Sequence, residues 1–300
     1  MVRALELSFA PPAPELAPYV SAYYHVYFDY PLIEDFERAD VGYFYGEEAP
    51  LTGLYSDKPV ADAPKVYGYD FINADALYDA LANDGADLVT PGGARYHALY
   101  LGGSSHMMTI GTLRRIPTLV ERGATVIGER PVGNPGLAGD EREYAMLADR
   151  LWPGTPEARV GQGRLIASRD AQAALAAMGI APDFQFTGAA EDAQILFNHR
   201  RLEDGDSYFL SNRRDRSETI EARFRVTGKA PELWQAATGT TKPVSYRIEN
   251  GATVVPLTLG PDEAVHVVFR KPAQAQALVV DRPEPNIAAT LEGPWTLAFE

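Results

Sequence analysis

The sequence predicts an α/β domain followed by an all-β domain: a doubly wound parallel sheet, then an antiparallel β-sandwich. Between residues 40 and 187, short apolar runs alternate with amphipathic helical stretches, and this spacing is typical of right-handed βαβ crossovers. Between residues 206 and 270, apolar residues recur at every second position, separated by turn signals such as Asn250-Gly251. We therefore divide the chain into an N-terminal arm (1–39), the α/β domain (40–187), the β-sandwich (188–282) and a short C-terminal segment (283–300).

The α/β pattern begins with the run VGYFYG, which is typical of a buried strand that ends at Gly46. The helices expected after it share an N-capping side chain and an apolar stripe, and they begin at Asn73, Thr109, Asp140 and Asp170. Pro117 lies inside the second of these helices, and we expect it to kink or split that helix.

The polar loops at the predicted strand ends are the natural place for a site, because ligands of doubly wound sheets bind beyond the carboxyl ends of the strands. These loops contain neither a GxGxxG nor a GxxxxGK(S/T) nucleotide motif, and no GxSxG elbow of a serine hydrolase. The five histidines are scattered, so the sequence predicts no metal site or cofactor of its own. The loops are Gly46-Glu47-Glu48, Gly102-Gly103-Ser104-Ser105-His106 and Gly128-Glu129-Arg130-Pro131.

Composition excludes several classes of function. The formal net charge of −14 argues against binding to nucleic acid, whose phosphates would be repelled. There is no cysteine, so disulfides and thiolate chemistry are not available. The sequence has no apolar core of signal-peptide length at its N-terminus and no membrane-spanning apolar run, so the chain as written is expected to be cytoplasmic, without a membrane partner.

Several ordered segments resemble the C-terminal half of glycoside hydrolase family 106, the α-L-rhamnosidases. The resemblance covers about residues 40–300, whereas residues 1–39 match poorly. The segments are YFYGEEAP, YGYDFINADAL, RRIPTLVERGATVIGERPVGNPGL, HRRLEDGDSYFLSN, RFRVTGKAPELW and VVPLTLGPDEAVHVVFR.

This resemblance implies a large bacterial enzyme in which a catalytic barrel precedes a flavodoxin-like (glutamine-amidotransferase-like) α/β domain and β-sandwiches. The closing LEGPWTLAFE resembles the first strand of a galactose-binding-like sandwich. Residues 1–39 are too few for a barrel of eight strand–helix units, so we expect this chain to lack the barrel and to need it as a partner.

The chemistry that the resemblance implies is inverting hydrolysis of terminal α-L-rhamnosides by two carboxyl groups roughly 6.5–9.5 Å apart, with calcium in the family's active site assisting by binding sugar hydroxyls. Glu47 is the candidate catalytic residue of this chain, and Glu48, Asp70, Asn73 and His199 are candidate substrate-binding residues. Glu47 and Glu48 are equally well explained as solvated surface carboxylates, and His199 as a hydrogen-bonded structural histidine. With no partner carboxylate, the chain alone is expected to have little or no glycosidase activity.

A second interpretation is a non-catalytic module that supports domain packing or holds a carbohydrate. Its ligand would be a rhamnose-containing glycan or another neutral carbohydrate, stacked on exposed aromatics such as Trp234 and Tyr246. Trp234 also fits a place in the core or between strands. The aromatic segment 19–30 is interpreted as a buried anchor, with a sugar-stacking or self-association surface as alternatives.

Overall fold

The structure is a computed structural model, and it describes residues 36–37, 39–47, 60–136, 140–236, 238–281 and 293. These residues form a mostly parallel sheet with helices, followed by two antiparallel sheets. The predicted succession of an α/β part and an all-β part is therefore confirmed. Most of the predicted N-terminal arm and C-terminal segment lies outside the described residues.

The strands and helices of the described residues follow each other in this order: β1 (Phe36–Glu37), β2 (Val41–Phe44), β3 (Tyr69–Ile72), β4 (Ala82–Asp84), β5 (Asp87–Val89), β6 (Arg95–Tyr96), β7 (Ala98–Leu101), α1 (Ile110–Glu121), β8 (Thr125–Ile127), α2 (Glu141–Leu151), β9 (Glu157–Val160), β10 (Gly163–Ile166), α3 (Ala171–Ala177), β11 (Phe184–Thr187), β12 (Ile195–Arg201), β13 (Asp206–Asn212), β14 (Glu218–Phe224), β15 (Lys229–Gln235), β16 (Thr240–Pro243), β17 (Tyr246–Glu249), β18 (Ala252–Leu259), β19 (Ala264–Pro272) and β20 (Ala277–Leu278).

The first sheet has the strand order β3-β2-β7-β8-β10-β9, and every neighbouring pair is parallel except β10 with β9. Apolar side chains of α1 and α2 pack on one face with Phe44, Leu99 and Leu101. Those of α3 pack on the other face with Val41 and Tyr43. Helices thus cover both faces, which is why β2 and β7 are apolar and buried at every position. We call this part the mixed sheet.

Apart from β4, β5 and β6, the remaining strands form two antiparallel sheets, β1-β12-β13-β19-β15-β16 and β11-β14-β18-β17-β20. Alternate side chains of both sheets meet in one apolar core, as the period-two pattern predicts. Strand β11 pairs with β14, so residues 184–187 belong to this part, although the sequence pattern assigned them to the α/β part. The core includes Phe184, Tyr208, Leu210, Phe224, Leu257, Val267 and Phe269.

The helices expected at Thr109, Asp140 and Asp170 are confirmed, and each of these residues caps its helix with a side-chain oxygen. Pro117 does not split α1, which runs as a single helix with Pro117 buried. None of the helices within the described part of the chain is long and apolar enough to cross a membrane.

The helix expected after Asn73 is much shorter than the prediction. Residues Ala76–Ala80 form a π-helical turn, and the backbone is already extended at Leu81. Strand β4 then pairs with β5 around Gly85, which has a φ of 64°. A small sheet of β4, β5 and β6 therefore replaces the end of the predicted helix.

We expect Gly163→Ala to destabilise the mixed sheet. A Cβ atom on Gly163 would overlap the carbonyl oxygens of Val120 and Ala124, which are backbone atoms and cannot turn away. Overpacking of this kind costs about 1–3 kcal/mol, so the midpoint of thermal unfolding should fall by several degrees. Gly133→Ala is the matched control, because a Cβ atom there would lie 3.6 Å from the nearest atom, Met107 Cε. Equal midpoints for the two variants in calorimetry would contradict this account.

Candidate functional site

The loops that follow β2 and β7 pack directly on each other at the carboxyl edge of the mixed sheet. Ser104 donates hydrogen bonds to the Tyr45 carbonyl from its backbone N–H (3.0 Å) and its hydroxyl (3.1 Å). Gly46 has a φ of 101°, and a Cβ atom there would overlap Ser104 Oγ. Only glycine allows this approach, so the position of the next residue, Glu47, is fixed by the backbone.

The Glu47 carboxylate is held by the N-cap residue of α1. The backbone N–H of Thr109 donates to Oε2 and its hydroxyl donates to Oε1, both at 2.8 Å. The positive end of a helix favours a negative group, and both carboxylate oxygens are engaged. Glu47 is therefore an oriented, half-buried carboxylate at the carboxyl edge of the sheet.

A second carboxylate, Asp62, connects β2, β7 and the loop after β7. It accepts hydrogen bonds from the hydroxyls of Tyr43 (2.6 Å) and Tyr100 (3.3 Å) and from the Gly103 N–H (2.9 Å). Burial, together with Asp62, raises the pKa of both tyrosines, so both remain donors. Sequence reasoning missed Asp62, because no motif marks it and its partners lie 19 to 41 positions away.

The structure places the other predicted site residues in different surroundings. Asp70 lies within β3 and accepts a hydrogen bond from the Tyr96 hydroxyl at 2.9 Å. Asn73 follows β3 at the same edge as Glu47, and its side chain accepts a hydrogen bond from the Ala76 N–H at 2.8 Å. Glu48 lies outside the described residues. His199 lies on β12, in the antiparallel sheets, far along the chain from the strand-end loops.

His199 belongs to a buried polar group that we call the junction cluster, made of Asp40, Asp183, His199, Tyr208 and Arg225. The Arg225 guanidinium donates to both oxygens of Asp40, at 2.7 and 2.9 Å, and lies 3.4 Å from Asp183. Asp183 also accepts hydrogen bonds from His199 Nδ1 and the Tyr208 hydroxyl, each at 2.8 Å. Asp40, Asp183 and His199 are 1%, 0% and 2% exposed, so none of them can contact a ligand from solvent in this structure.

The junction cluster connects the mixed sheet to the antiparallel sheets. Asp40 directly precedes β2, Asp183 directly precedes β11, and Arg225 directly follows β14. Backbone hydrogen bonds run beside the side chains, from Arg225 N–H to the Asp183 carbonyl (3.0 Å) and from Asp183 N–H to the Val66 carbonyl (2.8 Å). The cluster is therefore a structural joint between the two parts, which agrees with the structural alternative for His199.

The two aromatic residues considered for sugar binding differ in their surroundings. Tyr246 is 5% exposed and packs in the core of the antiparallel sheets, so the expectation that it is exposed is wrong. Trp234 lies on the opposite face of its sheet, away from the core, and its buried indole N–H has no acceptor.

Trp234 belongs to a line of directly paired residues that crosses this outer face, which we call the outer row. Phe209 is 38% exposed, and its ring centre lies 5.1 Å from that of His266. The outer row therefore combines aromatic rings with uncharged polar side chains at its two ends. Its members are Asn198, Phe209, His266, Trp234 and Thr241.

Within the described residues, no group of three or more histidine, aspartate or glutamate side chains could hold a metal ion. The calcium ion that the family resemblance implies stays an expectation for the active site of the longer enzyme.

Comparison with known proteins relates the chain to glycosidases. A family model described as alpha-L-rhamnosidase, glycoside hydrolase family 106, matches residues 28–248. A putative beta-glucuronidase of Formosa agariphila is 34% identical over 251 residues, which are 81% of this chain and 20% of that protein. The solved rhamnosidase from Novosphingobium sp. PP1Y is 56% identical with a TM-score of 0.77, over 82% of this chain and 24% of that chain. The chain thus spans a quarter or less of the length of these relatives.

We expect Arg225→Met to destabilise the protein strongly. The substitution leaves Asp40 and Asp183 buried without their cationic partner, and breaking a buried ion pair in this way costs about 3–5 kcal/mol. Arg247→Met is the matched control, since Arg247 pairs with Glu221 and Glu249 on the surface, where an ion pair contributes little. Denaturant unfolding of both variants measures the difference, and an equal loss in the two would show that the junction cluster is not essential.

Proposed function

This chain belongs to glycoside hydrolase family 106, the alpha-L-rhamnosidases, and we propose that it is an ancillary part of a longer enzyme that hydrolyses terminal α-L-rhamnosides. The observation that carries the proposal is the 56% identity to a rhamnosidase over 82% of this chain but only 24% of that enzyme. The described residues form a mixed sheet and two antiparallel sheets, with no eight-stranded barrel among them. In this proposal the barrel that binds the sugar is supplied by another part of the protein.

We further propose that the mixed sheet is a flavodoxin-like domain and that the two antiparallel sheets form a β-sandwich. In the mixed sheet, the parallel strands lie in the order β3-β2-β7-β8-β10. Numbered by their order along the chain, this is 2-1-3-4-5, the order of flavodoxin-like sheets. The shared core of the antiparallel sheets supports the second assignment.

Glu47 is the residue that we propose this chain contributes to the active site of the whole enzyme. This proposal is supported by the orientation of the Glu47 carboxylate, which Thr109 and Gly46 fix at the carboxyl edge of the mixed sheet. In an inverting mechanism, such a carboxylate would act with a second carboxyl group roughly 6.5–9.5 Å away, which would come from the barrel. Asn73 follows the neighbouring strand at the same edge, and Glu48 and Asp70 are proposed as further polar groups around the substrate. Calcium is proposed only for the barrel side of that site.

The 300-residue chain alone should not hydrolyse an aryl α-L-rhamnoside, because one oriented carboxylate cannot both protonate the leaving group and activate water. Release of the aryl alcohol is followed with the chain alone and with a separately produced barrel of a family member. We expect turnover only in the mixture, and its loss with Glu47→Gln.

Two results would overturn this proposal. Turnover by the chain alone that Glu47→Gln abolishes would show that the second carboxyl group lies in these residues. Unchanged turnover of the mixture with Glu47→Gln would remove Glu47 from the active site. Glu129→Gln is the matched control in both assays, since Glu129 lies at another strand end and pairs with Arg169 on the surface.

The outer row favours a second candidate function, a non-catalytic site for neutral carbohydrate. Aromatic rings bind the apolar faces of pyranose rings, and amide and hydroxyl groups bind their hydroxyls. Phe209, His266 and Trp234 supply the rings, and Asn198 and Thr241 lie at the two ends. The net charge of −14 favours an uncharged ligand such as a deoxyhexose over an acidic glycan.

If the outer row binds sugar, titration of the chain with methyl α-L-rhamnoside should perturb backbone amide NMR signals of β13, β15 and β19. Phe209→Ala should weaken this binding roughly fivefold, because a lost ring contact costs about 1 kcal/mol. Phe71→Ala is the matched control, since Phe71 is a comparably exposed ring (40%) on the mixed sheet. The absence of saturable shifts, or equal affinities of the two variants, would exclude the outer row as the site.

A further inference from the structure

His199 has a carboxylate at each of its two ring nitrogens. Nδ1 lies 2.8 Å from Asp183 Oδ2, and Nε2 lies 3.1 Å from Asp206 Oδ1. A neutral imidazole carries one N–H and could donate to only one of them, leaving a lone pair directed at the other carboxylate. An imidazolium donates to both. The geometry is therefore satisfied only by the protonated ring.

We infer that His199 is held as an imidazolium and acts as a proton-dependent latch between the mixed sheet and the antiparallel sheets. This role is independent of the proposed rhamnosidase function, because it concerns the joint between the two parts and no substrate. No activity of the longer enzyme is needed to observe it.

The charges around the ring show why the proton matters. Three carboxylates face this region: Asp183 before β11, Asp206 on β13 and Asp40 before β2. Two permanent cations balance two of them, Arg225 after β14 and Lys229 on β15, whose ammonium lies 4.0 Å from Asp206. The third positive charge is that of His199, so deprotonation leaves an excess negative charge in a buried site.

Two other neighbours complete the surroundings of the ring. Tyr208 stacks on the His199 imidazole, with ring centres 3.9 Å apart and planes 18° apart, and its hydroxyl donates to Asp183. His97 lies at the outer side of the cluster, 3.8 Å from Asp40, and is well exposed. Neither residue can replace the two hydrogen bonds that the imidazolium donates.

The pKa directions agree with this geometry. Burial lowers the pKa of His199, but the hydrogen bonds and charges of Asp183 and Asp206 outweigh burial and raise it overall. Burial raises the pKa of Asp183, but His199, Arg225 and Tyr208 together lower it overall. For Asp40, burial outweighs Arg225 and raises the pKa.

The directions of these pKa shifts determine the pH range in which His199 stabilises the joint. The stability that His199 adds is complete below its unfolded pKa of about 6.5 and is lost as the pH rises through its raised folded pKa. The stability from Asp183 is complete above about pH 3.9 and is lost as the pH falls through its lowered folded pKa. Asp40 favours lower pH, since its folded pKa is raised. The joint is therefore strongest in mildly acidic solution and weakens on the alkaline side.

Loss of the proton acts on the joint through Asp183. Its carboxylate lies between His199 and Arg225, and its backbone N–H donates to the Val66 carbonyl of the mixed-sheet part. A neutral His199 can donate to only one of its two carboxylates and turns a lone pair toward the other, while Asp183 and Asp40 share the charge of Arg225. The contact between the two parts is then held by fewer charge-assisted hydrogen bonds.

The direct test is the imidazole ¹⁵N NMR spectrum of the full chain between about pH 5.5 and 8. We expect both nitrogens of His199 to carry a proton at pH 6.5, the ordinary histidine value, and one of these protons to be lost only as the pH rises further. A singly protonated His199 ring at pH 6.5 would overturn the inference. This measurement needs no variant that affects folding.

Thermal unfolding against pH supplies the second test. The midpoint of the wild-type chain should fall by a few degrees as the pH rises above the His199 pKa, and this part of the fall should be absent in His199→Gln. Asp206→Asn removes the negative charge beside Nε2 and should shift the fall to lower pH, which keeps the test available if His199→Gln does not fold. His106→Gln is the control and should follow the wild type. The same pH dependence in wild type, His199→Gln and Asp206→Asn would contradict the latch.

Discussion

The arrangement of the two parts of this protein depends on one buried cation, the guanidinium of Arg225. It bonds both oxygens of Asp40 at the start of the first buried strand of the mixed sheet and lies 3.4 Å from Asp183 at the start of β11. Nη2 makes both of these hydrogen bonds, and Nη1 donates to the Ala181 carbonyl at 2.8 Å. A buried charge without partners would be far more costly than any gain from packing, so the cation and its carboxylates require each other. This requirement fixes where β2, β11 and β14 begin or end relative to one another.

The carboxyl edge of the mixed sheet is held by hydrogen bonds of its own. Asp62 bonds side chains of β2 and β7 and the loop after β7, and Thr109 bonds Glu47 in the loop after β2. Each of these groups bonds to backbone or to a side chain that is itself buried, so the polar groups at this edge have defined positions before any ligand arrives. Such preorganisation is what a site shared between domains needs, because each domain must present its groups already oriented.

Sequence patterns predicted the parts that depend on local periodicity. The period-two alternation identified Tyr208, Phe224 and Phe269 as core residues, and capping residues located α1, α2 and α3. The length of the helix after Asn73 was overestimated, because tertiary contacts override the helix-favouring composition of this segment. Arg115 on α1 donates to the Leu77 carbonyl at 2.9 Å and to the Leu81 carbonyl at 2.6 Å, where the turn ends. The junction cluster could not be predicted, since its ion pairs join residues as many as 185 positions apart.

The position of Glu47 has a consequence for what the mixed sheet can bind. In nucleotide-binding sheets of similar order, the helix that follows a strand directs its free N–H groups and positive end at a phosphate. Here a side chain of the protein already occupies the start of α1 and neutralises that field. The positive end of the helix, which in other proteins attracts a soluble anion, here orients the Glu47 carboxylate. The start of α1 therefore offers no free positive end to a phosphate or another small anion.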